Sequence, residues 1–216
     1  MIKIENVEVH GWEAAIRGMR NPLNSWKLSD SVPGKDGFFV GKADYGLMER
    51  LVSAGSDHGK FMRYITVTAD ITAPLYWYKE WDTYKVGTVA NSCSTMHKIH
   101  AKEFTLDDFS HEHLCDAQQD ADGKISSVGS LDIMDHLIYR MNLARIKFLE
   151  TKDKQYWWQM IQLLPSSYNQ KRTVLLNYEV LRHMYHVRKA HKLDEWRELC
   201  EWIKTLPYHE LITMEV

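Results

Sequence analysis

Cysteine is scarce in this sequence, and its scarcity excludes a disulfide-stabilised fold. The chain of 216 residues has three cysteines, Cys93, Cys115 and Cys200, which are far apart and form no Cys-x-x-Cys motif. An odd, widely spaced set of this kind is typical of free thiols in a reducing compartment and does not suit a thiolate metal site. The cysteines therefore predict a cytoplasmic protein.

Long apolar segments are also missing. A helix that crosses a bilayer needs about 20 consecutive apolar residues, and no run in the chain approaches that length. Residues 1–5 lack the apolar centre of a secretory signal peptide. We therefore expect a soluble protein with no membrane partner.

The chain has no excess of charge of either sign. Its 27 basic and 29 acidic residues give a formal net charge of -2, whereas proteins that bind long nucleic acids are strongly basic. The phosphate of a small nucleotide needs only a local cluster of Arg or Lys. His111 and His113 lie two residues apart without the further ligands of a tetrahedral site, so we predict no metal.

Aromatic residues, by contrast, are abundant. The chain has eight tryptophans and eleven tyrosines, and three of these rings, Trp77, Tyr78 and Trp81, follow one another closely. Such rings suit a planar ligand, but in most proteins they fill cores and interfaces. We interpret this run as core or subunit interface.

The clearest secondary-structure signal is a strand over residues 63–73. Apolar and polar residues alternate strictly from Tyr64 to Ala73, which is the period of a strand with one buried face. Pro74 then ends the strand because it lacks a ladder donor.

The remaining pattern predicts one α+β domain over residues 1–216. We expect a small, mostly antiparallel sheet packed with helices, a helical C-terminal half and a polar excursion over residues 104–127 that is either a lid or disordered. Asp44 is a candidate N-cap for the second helix. The other predicted elements are an edge strand over residues 1–10 and helices over residues 12–19, 44–54, 75–84, 133–148, 156–164, 173–188 and 194–203.

Two motifs follow the strand in a distinctive order. The aromatic segment at residues 75–81 leads to Thr83-Tyr84-Lys85, and then to Asn91-Ser92-Cys93-Ser94-Thr95-Met96-His97. This order resembles the flavin-dependent thymidylate synthases, in which Arg-His-Arg and then Asn-Glu-x-Ser-x-Arg-Tyr follow such a segment. Asn91 and Ser94 match that pattern. Thr83-Tyr84-Lys85 departs from it, as do Ser92, Met96 and His97 in the positions of its Glu, Arg and Tyr.

Two further segments extend the resemblance over most of the chain. Leu164-Pro165 is followed by Lys171-Arg172, then by Asn177 and Arg188, which is similar to a family segment where Asn heads a helix that ends in a substrate-contacting Arg. Upstream, His58-Gly59-Lys60-Phe61 is similar to a His-containing segment of the family.

The resemblance implies a thymidylate-synthase-complementing-like fold and a homotetramer that binds flavin adenine dinucleotide (FAD) and deoxyuridylate (dUMP). It implies transfer of a one-carbon group to a pyrimidine deoxynucleotide, with methylene-tetrahydrofolate and NADPH as possible co-substrates. The residues implied for the cofactor are His58, Lys85, Asn91 and Asn177. The residues implied for the substrate are Ser94, Lys171, Arg172 and Arg188.

Other interpretations of the same residues stay open. Asn91 and Ser94 also suit a helix cap or a turn, and Arg172 and Arg188 also suit salt bridges. No base is identifiable beside Ser94, so the sequence names no catalytic residue. The alternative function is a non-catalytic nucleotide-binding or oligomeric homologue that has lost flavin chemistry.

Overall fold

The chain folds into a mixed α+β structure, seen in a computed structural model that describes residues 2–35, 37–116, 122–124 and 128–215. The strands are β1 Lys3–His10, β2 Val32–Gly34, β3 Gly37–Phe39, β4 Thr66–Pro74, β5 Val89–Ser92 and β6 Asn169–Asn177. The helices are α1 Trp12–Arg20, α2 Lys42–Ser53, α3 Leu75–Trp81, α4 Ser130–Thr151, α5 Lys154–Leu163, α6 Tyr178–Arg188, α7 Asp194–Ile203 and α8 Glu210–Thr213.

Four of the strands form one small antiparallel sheet in the order β1-β4-β6-β5, which confirms the predicted fold class and the edge position of β1. In β4 the apolar side chains of Val67, Ala69, Ile71 and Ala73 are almost completely buried, as the alternation predicted. The strand begins at Thr66 and not at residue 63, because Gly59–Arg63 forms a 3₁₀ turn. A separate hairpin pairs β2 with β3.

The prediction of a helix over residues 173–177 was wrong. These residues complete β6, in which Gln170, Val174 and Leu176 are buried on one side, and the helix begins only at Tyr178. Leu176 and Met184 share a helical spacing, but Leu176 is buried from the strand and Met184 from the helix. The C-terminal half is therefore helical apart from β6.

The predicted cap of α2 also needs correction. Asp44 lies inside the first turn of the helix and is fully buried. Asp30 accepts hydrogen bonds from the backbone amides of Ala43 (2.9 Å) and Asp44 (3.1 Å), so a side chain from the preceding loop satisfies the helix start.

The described residues divide into two compact units, and the single-domain prediction stays a prediction. The first unit comprises Thr72–Glu80 and Ser92–Arg172, and the second comprises Ile2–Ile71, Trp81–Asn91 and Thr173–Val216. The first unit has its own buried cluster, formed by Ile99, Phe104, Phe109, Met141, Ala144 and Met160. In the second unit the largest fully buried side chains are Trp196, Tyr178, Met48, Ile65, Ile71, Leu176 and Leu181.

The start of the predicted excursion belongs to the core of the first unit. Phe104 and Phe109 are buried, Leu106–Asp108 forms a 3₁₀ turn, and Phe109 forms a β-bridge with Tyr168. Residues 117–121 and 125–127 lie outside the described residues, so the lid or disordered segment stays a prediction there.

Trp77, Tyr78 and Trp81 are all buried within the chain, which confirms them as core residues. The three cysteines are free thiols. Among the described residues, the helices include none with the length and apolar character needed to cross a bilayer.

Candidate nucleotide-binding residues

Tyr84 lies in a tight loop of the second unit that follows α3. Its backbone amide donates to the carbonyl of Trp81 (2.9 Å), and its own carbonyl accepts from the hydroxyl of Thr88 (2.5 Å). Gly87 has a φ of 73° in the same loop. These contacts fix the backbone of the loop, and with it the direction of the Tyr84 side chain.

Arg188, the last residue of α6, meets Tyr84 in this unit. Its Nε donates to the Tyr84 hydroxyl (2.9 Å), and its guanidinium carbon lies 4.6 Å from the ring centroid of the buried Trp196. Trp196 stacks in turn on Trp81 with an interplanar angle of 14°. The Tyr84 hydroxyl and the Trp196 ring thus both contribute to the orientation of the guanidinium.

Asn177 is the N-cap of α6, as the resemblance predicted for the residue that heads this helix. Its Oδ1 accepts from the backbone amide of Val180 (2.9 Å), and the residue is 9% exposed. Its amide nitrogen faces the Tyr84 loop so closely that a Cβ at Gly87 would lie 2.7 Å from it. The Asn177 side chain therefore satisfies the start of α6.

Lys85 is exposed and lines a cleft of about 580 Å³ in the second unit. Arg182, His183 and His186 line the same cleft. Burial, followed by the neighbouring charge of Arg182, lowers the pKa of His186, so its imidazole is neutral at pH 7. The positive charge of the cleft therefore comes chiefly from Lys85 and Arg182.

His58 lies elsewhere in the second unit. It is exposed and lines a larger cleft of about 820 Å³, whose cationic rim also includes Lys42, Arg50 and Lys60. His58 and Lys85 were predicted to bind the same cofactor, yet they line different clefts.

Arg172 belongs to the first unit and has a defined orientation. Its guanidinium carbon lies 3.7 Å from the ring centroid of Tyr78, which is fully buried. Its Nε donates to Oε1 of Gln170 (3.0 Å). A flat guanidinium on an aromatic face keeps its hydrogen-bonding edge in the plane, which suits bidentate recognition of a phosphate.

Lys171 precedes Arg172 in β6, and hydrogen bonds connect the segment of Ser94 to the same strand in the first unit. The backbone amide of Cys93 donates to the carbonyl of Lys171 (2.9 Å), and Nε2 of the buried Gln170 donates to the carbonyl of Cys93 (2.7 Å). These bonds join the segment of Ser94 to β6. The Ser94 hydroxyl accepts from the amides of Met96 (3.2 Å) and His97 (2.9 Å), so it closes a turn.

Asn91 lies in the exposed strand β5.

Among the residues that the structure describes, no group of His, Cys, Asp and Glu has the arrangement of a metal site.

Sequence reasoning missed the partners that orient the predicted residues. Tyr84 was noted only as a departure from the family pattern, and Gln170 was not singled out. The pairing of Tyr84 with Arg188 spans 104 residues, and no local pattern signals a contact of that separation.

The sequence matches no protein-family model and no curated protein. Its structure, however, is similar over its whole length to solved structures. The flavin-dependent thymidylate synthase ThyX from Helicobacter pylori, complexed with FAD and dUMP, aligns with a TM-score of 0.67 at 15% identity, covering 99% of this chain and 98% of that chain. The UMP/dUMP methylase PolB from Streptomyces cacaoi, bound with 5-Br UMP, aligns with a TM-score of 0.62 at 16% identity, covering 99% and 94%.

Identities of this size carry information on the fold and not on the chemistry. The chain therefore has the fold of the flavin-dependent thymidylate synthases.

Proposed function

We propose that this protein binds a pyrimidine deoxynucleotide such as dUMP and transfers a one-carbon group to it with reduced FAD. The observation that carries the proposal is the similarity of fold over 99% of the chain to a thymidylate synthase complexed with FAD and dUMP. Methylene-tetrahydrofolate as carbon donor, NADPH as reductant, a cytoplasmic location and a homotetramer are part of the same proposal.

The arginines supply the phosphate recognition in this proposal. Arg172 rests on the Tyr78 ring and Arg188 on the Trp196 ring, so each guanidinium is already oriented before a ligand arrives. Ordering these side chains in advance lowers the entropic cost of binding. Lys171, the preceding residue of β6, is assigned to the substrate as a further cation, while Ser94 and Asn91 are assigned to the base or the flavin.

The residues present fit the phosphate part of FAD. Lys85 and Arg182 bring two cations to one cleft, with His183 as a further donor, and the Glu179 carboxylate that also lines the cleft is paired with Arg63. Cationic donors are what a pyrophosphate requires. His58 and Asn177 complete the proposed cofactor set. When bound and reduced, the flavin would supply the electrons of the transfer.

The first test is retention of FAD together with binding of dUMP. We expect the purified protein to keep the visible flavin bands after addition of FAD and desalting, and to bind dUMP in a calorimetric titration. Arg172→Ala and Arg188→Ala should each weaken dUMP binding about tenfold or more, because each removes a charge-assisted hydrogen bond. Arg140→Ala, which removes an exposed arginine of α4, is the matched control.

A non-catalytic nucleotide-binding protein is the second candidate, and particular contacts favour it. The Ser94 hydroxyl closes a turn, and the Asn177 side chain caps α6. Both groups therefore have a structural use that needs no flavin. Binding of dUMP without retention of FAD, and without methylation of dUMP, would select this candidate. Absence of both FAD and dUMP binding would reject both.

A further inference from the structure

Arg182 lines the cleft of about 580 Å³ and also binds residues 210–215, which we call the α8 segment. Its Nη1 donates to the backbone carbonyls of Leu211 (3.3 Å), Ile212 (3.0 Å) and Met214 (2.8 Å). Carbonyls at the end of a helix have no partner within the helix, and an arginine side chain satisfies them well. The side chains of Leu211 and Ile212 are completely buried, so the backbone that presents these carbonyls is fixed.

A second set of contacts anchors the α8 segment on the same face of α6. Glu215 is paired with the ammonium of Lys189 and lies 3.6 Å from Nδ1 of His186. Arg182, His186 and Lys189 follow one another at spacings of four and three residues, which places them on one side of the helix. The α8 segment therefore holds Arg182 in a defined direction.

The three carbonyls engage only one nitrogen of the guanidinium. All three bonds come from Nη1, and Nε and Nη2 of Arg182 donate to no other group of the described residues. Nε and Nη2 form one edge of the guanidinium plane, and two parallel donors of this kind match two oxygens of a phosphate. The carbonyls are neutral, so they orient the guanidinium without cancelling its charge.

The carboxylates near Arg182 have cations of their own. Glu215 is paired with Lys189, and Glu179, which lines the cleft, is paired with Arg63. Neither carboxylate therefore takes up the charge of Arg182 by a direct ion pair.

We propose that the α8 segment positions Arg182 so that the Nε–Nη2 edge of its guanidinium binds the pyrophosphate of FAD in this cleft. This role rests on the proposed function. Lys85, from the loop after α3, supplies the second cation of the cleft. Because one side chain serves both the pyrophosphate and the carbonyls, binding of FAD and docking of the α8 segment stabilise each other.

Hydrogen–deuterium exchange of the wild-type chain tests this link without any substitution. Saturating FAD should slow the exchange of the amides of residues 211–215 about threefold or more, because an ordered Arg182 also secures the carbonyls that it binds. Riboflavin, which has the flavin ring but no pyrophosphate, should leave this exchange unchanged. Unchanged exchange with bound FAD, or equal protection by FAD and riboflavin, would overturn the inference.

Arg182→Gln should weaken FAD binding about tenfold or more in a flavin fluorescence titration, because it removes a charge-assisted contact. Arg197→Gln is the matched control and should leave the FAD affinity unchanged. Nη1 of Arg197 likewise donates to backbone carbonyls, those of His191 (2.7 Å) and Lys192 (3.2 Å), but Arg197 is not one of the described residues that line the cleft.

Arg182→Lys separates binding from a merely structural role. Its ammonium still donates to the carbonyls but has no second edge, so the exchange of residues 211–215 in the free protein should stay close to that of the wild type while FAD binding stays weak. Wild-type FAD affinity in Arg182→Lys or in Arg182→Gln would overturn the inference and leave the proposed function in place. If the wild-type protein binds no FAD, the proposed function and this inference both fail.

Discussion

Asp44 is the centre of a buried polar network in the second unit. Its carboxylate is fully buried and pairs with Nε of the buried Arg20 at 2.6 Å. Its second oxygen accepts from the hydroxyls of Ser29 (2.7 Å) and Ser31 (2.6 Å), and from the backbone amides of Asp30 and Ser31. Burial opposes the charged form of Asp44, but the hydrogen bonds from Ser31, Ser29 and Arg20 outweigh it and lower its pKa.

Asp44→Asn should therefore destabilise the protein strongly. The neutral amide leaves the buried Arg20 charge without its partner, which costs about 3–5 kcal/mol of unfolding free energy. The measurement is urea unfolding at pH 7. Glu201→Gln, which removes an exposed ion pair with Lys204, is the control and should change stability by less than about 1 kcal/mol.

Because the pKa of Asp44 is lowered, the loss of unfolding free energy in Asp44→Asn should depend on pH. A carboxylate with a depressed folded-state pKa stabilises fully above its unfolded pKa of about 3.9, and this contribution is lost as the pH falls through the folded value. The difference between the wild-type protein and Asp44→Asn should therefore shrink below about pH 4. A difference that stays constant with falling pH would contradict the assignment of the effect to this carboxylate.

The loop after α3 and the start of α6 are fitted to each other, and Gly87 is the point of closest approach. Its φ of 73° lies in the left-handed region, where side chains are disfavoured. An added Cβ would also lie 2.7 Å from the amide nitrogen of Asn177 and 3.2 Å from Cγ2 of Val180. Conformation and space both require glycine at this position.

Gly87→Ala should cost more stability than Gly55→Ala. Gly55 also has a positive φ, of 99°, but open space surrounds its Cβ position. Both variants bear the backbone strain of about 1–3 kcal/mol, and only Gly87→Ala adds the collision with Asn177. Thermal unfolding of the two variants separates the contributions. Equal losses of stability in the two variants would show that the close approach of Gly87 to α6 does not affect the stability of the protein.

At the level of elements, the sequence predicts what depends on local periodicity. The alternation that predicted β4 and the spacing that predicted α7 over Asp194–Ile203 are properties of neighbouring residues. Residues 173–177 were wrongly predicted as helix because Leu176, in the strand β6, continues the apolar spacing of α6. Burial of Gln170 and Val174 in β6 is set by the sheet, which a helical period does not reveal.

The candidate site shows the same division between local and long-range information. The cap at Asn177 and the end of the helix at Arg188 are local features, and the resemblance located both. The contacts that orient the two arginines join α3 to β6 for Arg172, and the Tyr84 loop to α6 for Arg188. Contacts between elements so distant in sequence arise from tertiary packing and leave no local signal.

At the scale of the whole molecule, the three thiols differ widely in environment. Cys93 is exposed in the first unit, whereas Cys200 is 2% exposed in the second unit among the core side chains of α7. Burial, and to a smaller extent the charge of Glu201, raises the pKa of Cys200 to about 11. Because the thiolate is the reactive form, both access and ionisation protect Cys200.

Iodoacetamide labelling at pH 8 should therefore modify Cys93 long before Cys200. In the native protein, peptide mass spectrometry should find the early label on Cys93, and Cys93→Ser should remove it. In urea the burial that raises the Cys200 pKa is lost, so Cys200 should then label as fast as Cys93. Rapid labelling of Cys200 without urea would mean that α7 opens readily in the native state, and that Trp196, on which Arg188 rests, is not held in a closed core.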